Sequence, residues 1–152
     1  MLSNGSEEGK GNKLVRETYP LFKQSGLNFI GNVEGNDIPL GKANFIVCDG
    51  FSGNVMIKFC EGLGNSIVEW LRIRLDKRLP QKEIDAIGND LFALTHTVDV
   101  SGGGVIYGVN GVVWLGHGRS KSSEVAESIH QVKLAVEADF LGELKSELGK
   151  LQ

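Results

Sequence analysis

Cysteine is scarce in this sequence: only Cys48 and Cys60 occur, each inside an apolar stretch. A disulfide framework is excluded, and two buried thiols suit a reducing cytoplasm. No apolar run approaches the roughly 20 residues that a membrane-spanning helix needs. Cationic charge is not in excess either. Sixteen Lys and Arg face 19 Asp and Glu, and the net charge of −3 is spread without a basic block, which argues against nucleic acid as a partner. The first twelve residues are polar and glycine-rich, unlike the apolar stretch of a targeting signal. These absences predict a cytoplasmic protein, peripheral to a membrane at most.

What is present is a chain of 152 residues, 41% hydrophobic, enough for one core of ordinary domain size. Its 21 glycines gather at a few junctions and show no repeat. Asn12 is placed to cap a helix reaching about Ser25, stopped by Gly26 and bent or interrupted at Pro20. Leu27–Ile30 and Asn44–Cys48 read as short strands. A long helix is expected from Gly53 to Lys77, where Val55, Phe59, Leu63, Ile67, Leu71 and Leu75 recur every fourth residue. Each such step overshoots a turn by about 40°, so the apolar line winds around the helix and meets different partners along its length. Gly62 and Gly64 suggest a close backbone crossing midway. Pro80 suits the first position of a further helix to about Leu94. Val105–Tyr107 and Val112–Leu115 read as strands, and Ser120, Ser122 or Ser123 could cap one last helix carrying Val125 through Leu144. Helices alternating with short buried strands indicate a three-layer α/β architecture, in which ligands bind beyond the strand ends.

Candidate chemistry sits at those strand ends. The stretch from Asn4 and Gly5 to Asn12 is either an anion-binding loop before a helix or a polar turn. Asp49-Gly50-Phe51-Ser52-Gly53-Asn54 joins a buried strand to the long helix. Backbone donors, Ser52, Gly53 and Asn54, with Lys58 one turn on, would suit phosphate; a helix capped by Ser52 or Asn54 is the competing reading. Asp49 either holds a substrate or closes an Asx turn. Gly102 and Gly103 line a pocket or form a flexible turn. His117, between two glycines, is the histidine best placed for proton transfer, although a loop histidine is more often structural. His96 and His130 have no metal-ligand spacing with it, so no metal is expected.

Four segments, LSNGSEEGKGN from Leu2, LNFIGNVEGN from Leu27, VCDGFSGNVMIK from Val47 and Gly116-His117-Gly118, resemble motifs of the PlsX family of phosphate acyltransferases, in family order. The resemblance covers Leu2 to about Leu144 and implies the C-terminal part of one α/β domain similar to phosphotransacetylase and isocitrate-dehydrogenase-like folds. It implies a homodimer without metal or organic cofactor, which moves an acyl group from acyl carrier protein to inorganic phosphate for phospholipid synthesis. Asn32 and Glu34, in the second motif, join the implied substrate site, with His117 and Lys58 as catalytic groups. The chain departs from the family pattern at Gly118-Arg119-Ser120-Lys121 and around Val100-Ser101. Phosphotransacetylase-like chemistry on acyl-coenzyme A and a non-catalytic binding or dimerisation module are the alternatives.

Residues 70–92 form an expected helical hairpin tip whose Arg72, Arg74, Lys77, Arg78 and Lys82 suit either an anionic membrane surface or plain solvent. Only Leu2 remains of the strand that should lead into the first glycine loop. The chain is therefore expected to associate with itself and to be inactive alone.

Overall fold

The computed structural model describes residues 1–118 and 120–150, leaving Arg119, one of the departures from the family pattern, outside the described residues. It is a mixed structure, 57% helical, with a small sheet of two antiparallel strands. Two compact units divide the chain at Lys58 and Phe59.

The first unit is organised around Met1–Ser3. Leu2 donates its N–H to the Val47 carbonyl (2.9 Å), Val33 donates to Met1 (2.8 Å), and Ser3 donates to Val33 (2.9 Å). Leu2 and Val33 thereby form a parallel bridge. The expected strands Leu27–Ile30 and Asn44–Cys48 do not form as ladders. Phe29 donates to the Leu27 carbonyl in a tight turn that takes the first segment out of register. Helix α1 spans Lys13–Gln24, with the Asn12 side chain accepting from the Val15 N–H at 3.0 Å. Its C-terminal turn closes at Ser25, and Gly26 follows at φ 75°, the left-handed conformation that ends helices. Pro20 lies within α1 and does not interrupt it. Phe29 packs on α1 through Tyr19 (edge-on, centroids 5.2 Å apart) and Phe22 (stacked, 5.3 Å). A short 3₁₀ turn, Gly35–Asp37, follows the bridge.

Helix α2 runs Gly50–Leu75, starting three residues before the expected Gly53 because Asp49 captures the Ser52 N–H and winds the first turn early. In the second unit its later turns lie beside α3, Gln81–Thr95, which follows Pro80. Gly64 makes the close crossing: a Cβ there would lie 2.1 Å from Thr95 Oγ1 and 2.7 Å from Thr95 Cβ. Gly62 faces open space instead. Val68 lies 3.4 Å from a Cβ built on Gly88, Arg72 reaches Asp85 at 3.9 Å, and Ile84 is buried. After a one-turn helix α4 (Thr97–Val100), β1 (Gly104–Ile106) pairs with β2 (Val113–Leu115), with Val105 opposite Trp114.

The expected single last helix is two helices, α5 (Ser122–Glu137) and α6 (Phe140–Gly149). They part at Asp139, whose φ of 48° is left-handed. Aspartate tolerates that region better than most residues. The break also needs Gly142, where any Cβ would lie 2.2 Å from Asp139 Oδ2. Lys121, not a serine, occupies the cap of α5, and the Glu124 carboxylate accepts its N–H.

The two glycines of α2 predict opposite effects. Gly64→Ala should lower stability by about 1–3 kcal/mol through overpacking against Thr95. Gly62→Ala should raise it by up to about 1 kcal/mol through helix propensity. Urea denaturation of both variants checks the pair.

Candidate functional site in the first unit

The Asn4–Gly11 loop leaves the short central segment and enters α1. Asn4 Oδ1 accepts from the Gly11 N–H at 2.9 Å, and Lys10 donates its N–H to the Glu7 carbonyl at 3.0 Å. Two glycines are required by contact. Gly5 is buried with the Lys10 Cγ 2.7 Å from where a Cβ would stand, and Gly11 adopts φ 103° against Val15. Arg16 donates to the Gly11 carbonyl at 2.5 Å, and Lys23 pairs with Glu8 at 3.1 Å.

Beneath this loop lies Asn32, only 4% exposed. Its Nδ2 donates to the Glu7 carbonyl at 2.9 Å. A carbonyl only accepts, so this bond fixes the amide orientation and turns Oδ1 away from Glu7. Asn32 Oδ1 and Ser3 Oγ are both buried and without a hydrogen-bond partner. A buried polar atom left unsatisfied costs about 1–3 kcal/mol. The Leu2–Val33 register places Ser3, Asn32 and Glu34 on one face of the bridge, opposite Leu2 and Val33. Glu34 is half-buried, and its N–H goes to Asp37 Oδ2 at 2.9 Å. That bond, with Lys42 at 3.0 Å, holds the Asp37 carboxyl below the usual carboxylate range. Burial lowers the Met1 amine, which donates to the Gly31 carbonyl at 2.8 Å.

The start of α2 is organised by its own carboxylate. Asp49 accepts the Ser52 N–H at 2.8 Å and the Ser52 hydroxyl at 2.7 Å, while its carbonyl takes the Gly53 N–H at 3.0 Å. Asp49, rather than Ser52 or Asn54, therefore caps this helix, and the Ser52 backbone bond holds its carboxyl below the usual range. An incoming anion would meet a carboxylate already seated on those donors. Asn54 and Lys58 are exposed and four residues apart on one face of α2.

Gly102, Gly103 and His117 belong to the second unit. The Gly102 carbonyl accepts from Trp114 Nε1 (3.2 Å) and from the Ser128 hydroxyl. Gly103, at φ 125°, passes so close to β2 that a Cβ would stand 2.0 Å from the Leu115 carbonyl oxygen. His117 follows β2 after Gly116, half-buried, its carbonyl accepting the Ser120 N–H at 3.0 Å. Among the described residues no three His, Cys, Asp or Glu side chains gather as a metal site.

The sequence profile of the family described as fatty acid synthesis protein matches residues 1–142. The chain belongs to that family. Among its relatives, the phosphate acyltransferase of Elusimicrobium minutum is 37% identical over 99% of this chain and 45% of its own length. Those of Syntrophotalea carbinolica and Carboxydothermus hydrogenoformans are 40% and 41% identical, over 98% and 95% of this chain and 44% of their own lengths. The chain spans about half the length of the curated relatives it matches.

Within this member of the fatty acid synthesis protein family, the first two family-like motifs meet in space, through the Asn32–Glu7 hydrogen bond and the Ser3–Val33 backbone bond. Sequence reasoning passed over Ser3, although it adjoins Asn4 in the first motif; its signal was a hydroxyl one residue from the glycine loop. It also passed over Trp114 and Ser128, which hold the Gly102 carbonyl.

Asp49 makes a pH prediction. A carboxyl lowered by folding stabilises the native state above its unfolded value near 3.8, and that contribution is lost as pH falls through the lower folded value. Asp49→Asn should therefore destabilise the chain at neutral pH and flatten the acid limb of its stability profile below about pH 4. Denaturant midpoints of both proteins between neutrality and strong acid measure this.

Proposed function

We propose that this chain forms part of a phosphate acyltransferase that moves an acyl group from acyl carrier protein to inorganic phosphate, yielding acyl phosphate for phospholipid synthesis. The observation that carries the proposal is the glycine loop clasped over Asn32 and Ser3 at the start of α1, in a chain whose relatives bear the name phosphate acyltransferase. The parallel Leu2–Val33 bridge, with the Leu2–Val47 hydrogen bond on the other side, supports membership of the central layer of a three-layer architecture. Large apolar side chains left exposed, among them Phe45, Phe51 and Leu40, support cover by further sheet and helices or by a second copy in a homodimer.

In the proposed reaction a phosphate oxygen attacks the thioester carbonyl, the tetrahedral oxyanion collapses, and the thiolate leaves with a proton. Backbone N–H groups of the Asn4–Gly11 loop stabilise charge, the contribution that usually dominates acyl transfer. Lys10 and Lys58 supply positive charge, and protonation of the thiolate is the role that the family resemblance gives His117. No metal or organic cofactor enters this scheme.

Donor choice tests the reading. A protein of the relatives' full length carrying this sequence should form acyl phosphate from acyl carrier protein thioester and phosphate, and much more slowly from acyl-coenzyme A; the reverse preference would move the assignment to phosphotransacetylase chemistry. In that protein His117→Gln should lower kcat by about 10²-fold or more with little change in KM. The 152-residue chain by itself should make no acyl phosphate.

The α2–α3 turn carries the proposed membrane contact. Among the described residues no helix is long and apolar enough to cross a bilayer. Trp70 and Ile73 are exposed, with the Arg74 guanidinium 5.7 Å from the Trp70 ring centre. Such a tip can rest apolar side chains in the interface while basic groups meet anionic headgroups. Vesicle flotation should recover the protein with anionic lipid and not with neutral lipid.

A further inference from the structure

Asn32 Oδ1 and Ser3 Oγ are not explained by the fold. One is an obligate acceptor on a side chain that is 4% exposed, and the other is a buried hydroxyl, both without a partner beneath the same loop. Ser3 underlies Gly11, its Oγ 3.1 Å from the position of a Cβ there, and Asn32 is tied to Glu7 in the middle of the loop. The two residues share a face of the bridge, directly before the N-terminus of a twelve-residue helix. The cations nearby are Lys10 in the loop and Lys13 and Arg16 in the first turns of α1. The loop's acidic residues are Glu7 and Glu8, and Glu8 is already paired with Lys23.

We propose that Ser3 and Asn32 are the anchoring pair of an oxyanion subsite that selects a protonated oxyanion, inorganic phosphate, admitted when the Asn4–Gly11 loop swings aside. The chemistry follows from the donor inventory. Asn32 Oδ1 can only accept, so it needs a ligand that brings its own O–H, which phosphate near neutrality carries and sulfate does not. The Ser3 hydroxyl donates in turn to a ligand oxygen. Because the loop covers both atoms, ligand binding must displace it. The exposed ties at its Gly11 end, the Asn4–Gly11 and Arg16–Gly11 hydrogen bonds, are the ones that open, while the part-buried Asn32–Glu7 bond stays and keeps Oδ1 presented as an acceptor.

This inference rests on the phosphate acyltransferase reading for its ligand, and the test separates the two. Calorimetric titration of the 152-residue chain with phosphate and with sulfate at matched ionic strength should give phosphate binding at least tenfold tighter. Ser3→Ala should weaken phosphate about tenfold while leaving the ligand-free thermal midpoint unchanged or higher, since it removes a buried hydroxyl that has no partner. Asn32→Asp, which sets a negative charge against the anion, should weaken phosphate at least as much.

Sulfate binding within twofold of phosphate, no phosphate binding, or full phosphate affinity in Ser3→Ala would overturn the proposal. A lowered midpoint in Ser3→Ala with unchanged affinity would assign Ser3 to the fold alone, with the same result. Acyl phosphate synthesis by the relatives' full-length form with a phosphate KM indifferent to Ser3→Ala sinks this inference and leaves the enzymatic reading intact. Phosphate selectivity in a protein that makes no acyl phosphate does the opposite.

Discussion

Three backbone hydrogen bonds around Met1–Ser3 set the arrangement of the first unit. Val33 and Val47 lie on opposite sides of Leu2, so residues far apart in sequence reach one place in register. That register decides which side chains meet the glycine loop. Val33 becomes the most buried large side chain among the described residues, and Asn32, one position earlier, turns to the other face under Glu7. Shifting the bridge by one residue would exchange them, burying an amide in an apolar layer and placing valine under the loop. The site is therefore as sensitive to strand register as to the identity of its polar residues.

The two helix starts in this unit use their orphan N–H groups differently. At α2 the negative charge comes from within, because Asp49 sits on the Ser52 donors. At α1 the cap is the neutral Asn12, and Asn4 takes the Gly11 N–H. A neutral cap leaves the positive end of the helix dipole available to an external anion, whereas a carboxylate cap cancels it. Both loops looked alike in sequence, each a glycine-rich stretch with hydroxyl and amide side chains. The distinction rests on whether the acidic residue falls three positions before a helical N–H, as Asp49 does before Ser52.

Much of the local organisation was legible because it depends on local signals: Asn12 as a cap, Gly26 as a stop, Pro80 before α3, and strand character at Val105–Tyr107 and Val112–Leu115. What was not legible depends on distant partners. Leu27–Ile30 has strand-like composition, yet Phe29 turns back on Leu27 and packs against Tyr19 and Phe22 of α1, contacts that composition cannot report. The helix break at Asp139 was hidden for a related reason. Apolar spacing continues through it, and the deciding feature is Gly142, whose missing side chain lets the Asp139 carboxylate fold back. Of the site, sequence found Asn4, Gly5 and Asn32 as members of motifs but not the contact of Asn32 with Glu7 that joins the two motifs. It could not show that Gly102 and Gly103 are held by contact with Ser128 and the Leu115 carbonyl, which makes the double glycine a requirement of packing whatever else it does.

Asn32 and Ser3 also constrain how the loop can have been arranged. Had the loop served only to connect a strand to α1, an apolar residue at either position would have avoided the desolvation of an unpaired oxygen. The protein instead uses one end of the amide to tie the loop down and keeps the other end unpaired. A local loss of stability concentrated on acceptor and hydroxyl groups beneath a glycine loop, beside an open helix N-terminus, is the pattern expected where folding has been subordinated to ligand capture.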